Sequence, residues 1–136
     1  MSDRWVKVYD LAQDQETIAL VQRASLQTQE FGFVPEIALF GSKEWWAAVE
    51  DGRIPRHTVE GVISRLYMSG HGDWPEFEIE SGGQSTRWTR LGDQKYYEAG
   101  RKVRLEYVLQ RPKKPWRSGE IEQVLQIVIA DERGDR

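Results

Sequence analysis

The sequence predicts an α+β fold in which one or two N-terminal helices pack on a five- or six-stranded antiparallel β-barrel or curled sheet. Three observations predict this fold. Apolar and polar side chains alternate along most of residues 57–130, as they do in strands that bury one face. Short loops that contain glycine or proline separate the alternating stretches. Residues 1–56 instead contain two segments that follow helix-capping residues.

The chain has the size and composition of a single globular domain. It has 136 residues, of which 39% are hydrophobic and 30% are charged. A chain of this length buries about two thirds of its unfolded surface. It contains no cysteine, so disulfides and thiolate chemistry are excluded. We expect one domain over residues 1–130, with a helical or mixed part (1–56), a β-meander (57–130) and a frayed tail at 131–136.

The N-terminal part begins with a short strand predicted at residues 5–9. Asp14 is a suitable N-cap for a helix from residue 15 to about residue 29. Within that segment Ile18 and Leu20 also fit a period of two residues, so a strand is the alternative.

A second helix is predicted at residues 43–51, after a short strand at residues 36–40. Ser42 is suited to cap the start of this helix, and Gly52 is suited to end it. The helical period places Trp45 towards the core.

Residues 58–90 predict three strands joined by short loops. Residues 58–68 are rich in β-branched and aromatic side chains, which favour strands. Residues 74–80 alternate strictly, with apolar side chains on one face and glutamates on the other. Ser81–Gln84 contains the two glycines of a tight hairpin turn, and residues 85–90 form the return strand.

Two further strands, at residues 101–110 and 120–130, complete the meander. Alternation in the first of them predicts that four side chains face inward: Val103, Leu105, Tyr107 and Leu109. In the second, one face is predicted to carry Ile121, Leu125, Ile127 and Ile129. A meander of this kind closes or curls to protect its edge strands.

The order of these elements resembles a known barrel pattern. A first strand that contains Glu60-Gly61-Val62-Ile63, an alternating hairpin, and a strand entered through residues 97–103 are together similar to OB-type and SH3-like barrels. The resemblance covers residues 57–130. It implies a barrel-like architecture and no particular activity, since folds of this kind serve many functions.

Charge is unevenly distributed along the chain. The net charge is −3, yet residues 1–83 carry −7, residues 84–117 carry +7 and residues 118–136 carry −3. One interpretation is internal pairing, in which the glutamates of residues 74–80 face Arg87 and Arg90 across the hairpin. The other is a basic surface for an anionic partner.

The leading functional hypothesis is a non-catalytic binding module with a basic, aromatic-bearing face. Cations neutralise phosphates and an aromatic ring stacks on a base, so this face suits an anionic ligand such as single-stranded nucleic acid. The candidate ligand-binding residues are Arg101, Lys102, Arg104, Arg111, Lys113, Lys114, Trp116, Arg117 and Trp74.

Two other classes of function remain open. The first alternative is a protein–protein interaction or self-assembly module, in which the basic region meets an acidic protein surface or the acidic region of another copy. The second is a small hydrolase that uses His71, Asp73 and Glu76.

The sequence contains no recognisable catalytic motif and no phosphate- or dinucleotide-binding loop, so we predict no cofactor. Two histidines and no cysteine make a structural zinc site improbable, and no metal is predicted. The chain has neither a signal segment nor an apolar run of membrane-spanning length, which predicts a cytoplasmic location without a membrane partner.

Overall fold

The computed structural model describes residues 4–28, 32–35, 37–69, 74–112 and 120–131. The α-helices are α1 (Gln15–Gln27) and α2 (Lys43–Glu50). The strands are β1 (Trp5–Asp10), β2 (His57–Ser69), β3 (Trp74–Ser81), β4 (Gln84–Thr89), β5 (Lys102–Gln110) and β6 (Ile121–Ala130).

The six strands form one antiparallel sheet in the order β1-β6-β5-β2-β3-β4. The sheet is not closed, and β1 and β4 occupy its two ends in the described part of the chain. The predicted α+β class is therefore confirmed, and of the two predicted architectures, a barrel or a curled sheet, the structure fits the curled sheet. None of the described helices has the length and apolar character needed to cross a membrane.

Both predicted helices are present, and each begins at its predicted cap. The Asp14 side chain accepts a hydrogen bond from the Thr17 backbone N–H at 3.1 Å, which satisfies one of the free donors of α1. The Ser42 side chain does the same for the Trp45 N–H of α2 at 3.2 Å. Gly52 follows α2 with a φ of +85°, a left-handed conformation that glycine adopts without strain.

The strand predicted at residues 36–40 is wrong. Glu36 lies outside the described residues, and residues 37–40 form bends and a turn. The Ser42 N–H donates to the Leu39 carbonyl, and the Phe40 carbonyl accepts from the side chain of Gln22. These bonds direct the segment into the start of α2 and leave it no strand partner.

Alternation along β5 and β6 departs from the prediction. Leu105 is buried as expected, but the next buried residue is Val108 rather than Tyr107. Leu109 is consequently 36% exposed, and in β6 Ile121 is 45% exposed. A shift of one residue in the alternation moves every later side chain to the other face of the strand.

The chain divides into two compact units. Unit 1 comprises Met1–Asp10, Thr58–Glu106 and Gln126–Arg136, and unit 2 comprises Leu11–His57 and Tyr107–Leu125. Each unit has its own buried side chains. Those of unit 1 include Ile63, Phe77, Ile79, Leu105 and Ile127. Those of unit 2 include Leu11, Phe40, Trp45, Ala48 and Val108.

Candidate functional site

Arg101, one of the predicted ligand-binding residues, is engaged within unit 1. Its side chain is only 13% exposed. Nε donates to Glu98 Oε1 at 2.8 Å, and Nη2 lies 2.6 Å from the same oxygen. Nη1 donates to the carbonyl oxygens of Ala130 and Asp131 at 3.0 and 2.7 Å. Arg101 therefore joins the start of β5 to the end of β6.

Arg104, two residues along β5, is also paired. Its Nε donates to Glu60 Oε2 at 2.6 Å, and its guanidinium carbon lies 5.3 Å from the centre of the Trp5 ring. Lys102 is exposed and is not without an interaction partner. Arg104 thus has a carboxylate partner from β2 and an aromatic neighbour from β1.

The other predicted ligand-binding residues are only partly described. Arg111 is exposed, and its carbonyl oxygen accepts from the Val34 N–H at 2.8 Å. Trp74 begins β3, and its backbone alone is described. Four residues of the predicted face lie outside the described part of the chain: Lys113, Lys114, Trp116 and Arg117. Their assignment stays a prediction.

The hairpin of β3 and β4 pairs charges internally, as the first interpretation of the charge distribution predicts. Glu78 lies opposite Arg87 in the strand register, and Arg87 Nη1 is 3.8 Å from Glu76 Oε1. The Arg87 guanidinium carbon lies 3.9 Å from the centre of the Tyr67 ring. Hydrogen bonds from Ser64 and, to a smaller extent, from Tyr67 lower the pKa of the Glu78 carboxyl.

The residues of the hydrolase hypothesis are not assembled into a described site. His71 and Asp73 lie outside the described residues, and Glu76 takes part in the ion pair with Arg87. No group of three or more potential metal ligands occurs within the described ranges.

A pocket of about 170 Å³ opens in unit 2. Several segments that are distant in sequence contribute to it, namely the loop before α2, α2 itself, the loop after α2, the end of β5 and the residue that precedes β6. Its apolar lining is formed by Val34, Ile37, Ala38, Trp45, Ile54, Pro55 and Leu109, and its polar lining by Arg53, Gln110 and Glu120.

Local structure fixes the walls of this pocket. Trp45 is 1% exposed, its Nε1 donates to Gln110 Oε1 at 3.3 Å, and the Phe40 ring meets it edge-on at a centroid distance of 4.8 Å. After α2 the chain turns back, and the Ile54 N–H donates to the Ala48 carbonyl at 3.0 Å. The pocket is therefore held in place by buried rings and by side-chain and backbone hydrogen bonds.

The rim of the pocket carries two charged side chains, Arg53 and Glu120, of which only Arg53 has an ion-pair partner among the described residues. Arg53 Nε donates to both carboxylate oxygens of Asp51 at 3.0 and 2.9 Å. This contact lowers the pKa of Asp51 and raises the pKa of Arg53. Glu120 is exposed, and no ion pair with it is found among the described residues. Ile37 and Leu109 remain 48% and 36% exposed beside these charges.

A second exposed apolar patch lies in unit 1. Leu66 and Met68 of β2 are 38% and 60% exposed, although Leu66 lies opposite the buried Phe77 in the register. Arg90, which we expected to pair with the hairpin glutamates, instead donates to the Tyr67 carbonyl at 2.9 Å and contacts the Met68 sulfur at 3.1 Å.

The sequence patterns did not point to the pocket in unit 2. They predict Leu109 in the core and Ile37 in a strand, and they assign no functional role to Glu120. The adjacent Trp45 and Trp46 were the one available sign of an aromatic-rich region. Tryptophans in such a pattern more often belong to the core than to a site.

Comparison with known proteins first gives the class. A model of a family of immunity proteins matches residues 6–130, and this match includes segments of both units. The family is the one described as Immunity protein RhsI2, and the chain belongs to it. No curated protein matches the chain.

The leading hypothesis, an anionic-ligand module for nucleic acid, is wrong. An immunity-protein family indicates protein–protein binding, which fits the first alternative better. The contacts of Arg101 supply a physical reason, because its guanidinium group is held by a carboxylate and two carbonyl oxygens and already has the partners that a phosphate would provide.

Proposed function

We propose that this chain binds and neutralises a protein toxin, its cognate Rhs toxin. The match of residues 6–130 to the family described as Immunity protein RhsI2 carries the proposal. The function then resides in a surface that is complementary to another protein. Catalytic residues and cofactors have no necessary part in it.

Features of the described surface support a binding function. Large apolar side chains stand exposed in both units, at the pocket in unit 2 and at the β2 patch in unit 1. Patches of this kind, rimmed by polar residues, are typical of protein-binding sites. A standard interface takes about 800 Å² from each partner. Against a total accessible surface of 8949 Å², one such interface occupies about a tenth of the chain.

The test combines neutralisation with direct binding. Production of the cognate Rhs toxin in a bacterial host is expected to arrest growth, and co-production of this chain is expected to restore it. The purified proteins are expected to form a stable complex with a Kd of about 1 nM or less, since some toxin–immunity pairs rank among the tightest known. A correctly folded chain that neither restores growth nor forms a complex contradicts the proposal.

Two other predictions stay untested. Self-assembly through the acidic and basic regions predicts association that weakens as salt rises, because salt screens exposed charges. Light scattering at low and high salt measures that association, and a monomer at both salt concentrations removes the prediction. The cytoplasmic location also stays a prediction, which fractionation of cells producing the chain tests directly.

A further inference from the structure

We infer that the pocket in unit 2 receives one large apolar side chain of the partner protein, flanked in that partner by a basic residue. This inference rests on the proposed function and specifies which surface carries it. The partner segment would insert its apolar side chain against Trp45 and Ile54 and place its cation beside Glu120.

The size of the pocket selects a single side chain. A cavity of about 150 Å³ accommodates a benzene-sized group, and this pocket, which has both apolar and polar lining, measures about 170 Å³. The space therefore suits one phenylalanine, leucine or methionine side chain and is too small for an extended ligand. Interfaces are dominated by a few such anchors seated in well-packed pockets.

The walls are already in their binding arrangement. Trp45 is fixed by its hydrogen bond to Gln110 and by the Phe40 ring, and Ile54 is fixed by the backbone bond to Ala48. A preformed pocket binds its anchor without the entropic cost of ordering side chains. The exposed Ile37 and Leu109 at the rim lose contact with water when a partner covers them.

The charges at the rim indicate which charge the partner carries beside its apolar side chain. Arg53 is neutralised by both oxygens of Asp51, so the positive charge at the rim is locally compensated. Glu120 lines the same pocket, and the described residues provide no ion pair for it. A lysine or arginine next to the anchor therefore complements this rim, whereas an acidic neighbour meets an uncompensated carboxylate.

The β2 patch of unit 1 is one competing surface. It is also apolar, but the Met68 sulfur already contacts the Arg90 guanidinium. The two surfaces offer a matched pair of variants, because Leu109 and Leu66 are both strand leucines with nearly equal exposure, 36% and 38%.

The experiment measures the Kd of the purified cognate Rhs toxin for the wild-type chain and for Leu109→Asp and Leu66→Asp, after circular dichroism has shown that the variants are folded. Leu109→Asp is expected to weaken binding by about 30-fold or more, the effect of losing a hot-spot contact. Leu66→Asp is expected to change the Kd by less than about 3-fold. Glu120→Lys is expected to weaken binding by about 10-fold, against no change for Glu80→Lys, an exposed glutamate in unit 1.

A second measurement requires no variant. The indole N–H groups of Trp45 and Trp88 are both hydrogen bonded, to Gln110 and Thr86, and one lies in each unit. In ¹⁵N NMR spectra the Trp45 indole signal is expected to shift when unlabelled toxin is added, and the Trp88 signal is expected to stay in place.

The outcomes separate the two proposals. If the wild-type chain does not bind the toxin, the proposed function itself fails. If it binds but Leu66→Asp weakens binding as much as Leu109→Asp, or the Trp88 signal shifts and that of Trp45 does not, the pocket inference is overturned and the proposed function stands.

Discussion

Replacing Arg101 with methionine is expected to destabilise the fold. Methionine keeps an unbranched apolar stem of similar length but provides no hydrogen-bond donor. The carbonyl oxygens of Ala130 and Asp131 lose their guanidinium donor, and the Glu98 carboxylate loses its ion pair. The side chain is 13% exposed, so water replaces these bonds only in part.

The magnitude follows from these contacts. A hydrogen bond made by a charged group contributes about 1.5 kcal/mol or more, and the contribution of the Glu98 pair is reduced because Glu98 is 39% exposed. The expected loss is about 3 kcal/mol of unfolding free energy. The entropy of unfolding is about 2.1 cal/mol/K per residue, so in a chain of 136 residues this loss lowers Tm by about 10 °C.

Arg104→Met provides the matched control in the same strand. Its ion pair with Glu60 joins side chains that are 45% and 54% exposed, and such surface pairs contribute about 1 kcal/mol or less. Urea and thermal unfolding of the two variants, followed by circular dichroism, measure the difference. Equal losses for both variants, or a loss below about 1 kcal/mol for Arg101→Met, would refute the structural role assigned to Arg101.

Two further predictions concern stability. Gly92→Ala is expected to cost about 3 kcal/mol or more, because Gly92 has a φ of +75° and a Cβ there would overlap the Val8 carbonyl oxygen. Gly52→Ala, with a φ of +85° and open space, is expected to cost about 1 kcal/mol, and equal costs in urea unfolding contradict this reasoning. Burial raises the pKa of the Tyr97 phenol above its value of about 10 in the unfolded chain. The protonated phenol therefore stabilises the fold in full below a pH of about 10, and this stabilisation is lost as the pH rises above that value. Absorbance titration is expected to show Tyr97 ionising only together with unfolding, and its ionisation in the folded chain contradicts this.

The elements that the sequence predicted correctly are those with local signals. Asp14 and Ser42 precede helices that they cap, and Gly82 and Gly83 adopt φ values of +58° and +84° in the hairpin turn. Each of these features depends on residues within a few positions of one another. Strand alternation is equally local, and it failed after Glu106, where the pattern of burial shifts by one residue.

The partners of the charged side chains could not be predicted in the same way. Arg101 donates to carbonyl oxygens 29 and 30 residues away, and Arg104 pairs with a glutamate 44 residues away. Composition shows that cations are abundant between residues 84 and 117, but it does not show which of them are neutralised. The nucleic-acid hypothesis required these groups to be available, and two of them are already held within unit 1.

The pocket was missed for a related reason. Its apolar lining comes from segments between Val34 and Leu109, so no window of the sequence contains it. Leu109 belongs to it only because the alternation in β5 shifts, which turns a predicted core residue into an exposed one. Leu109 is 36% exposed, so the free chain already buries most of its side chain, and a partner that covers the pocket buries the remainder. Leu109→Asp is therefore expected to lower the free energy of unfolding as well as to weaken binding, and its effect on the Kd is judged against that of Leu66→Asp, which replaces a strand leucine of nearly equal exposure.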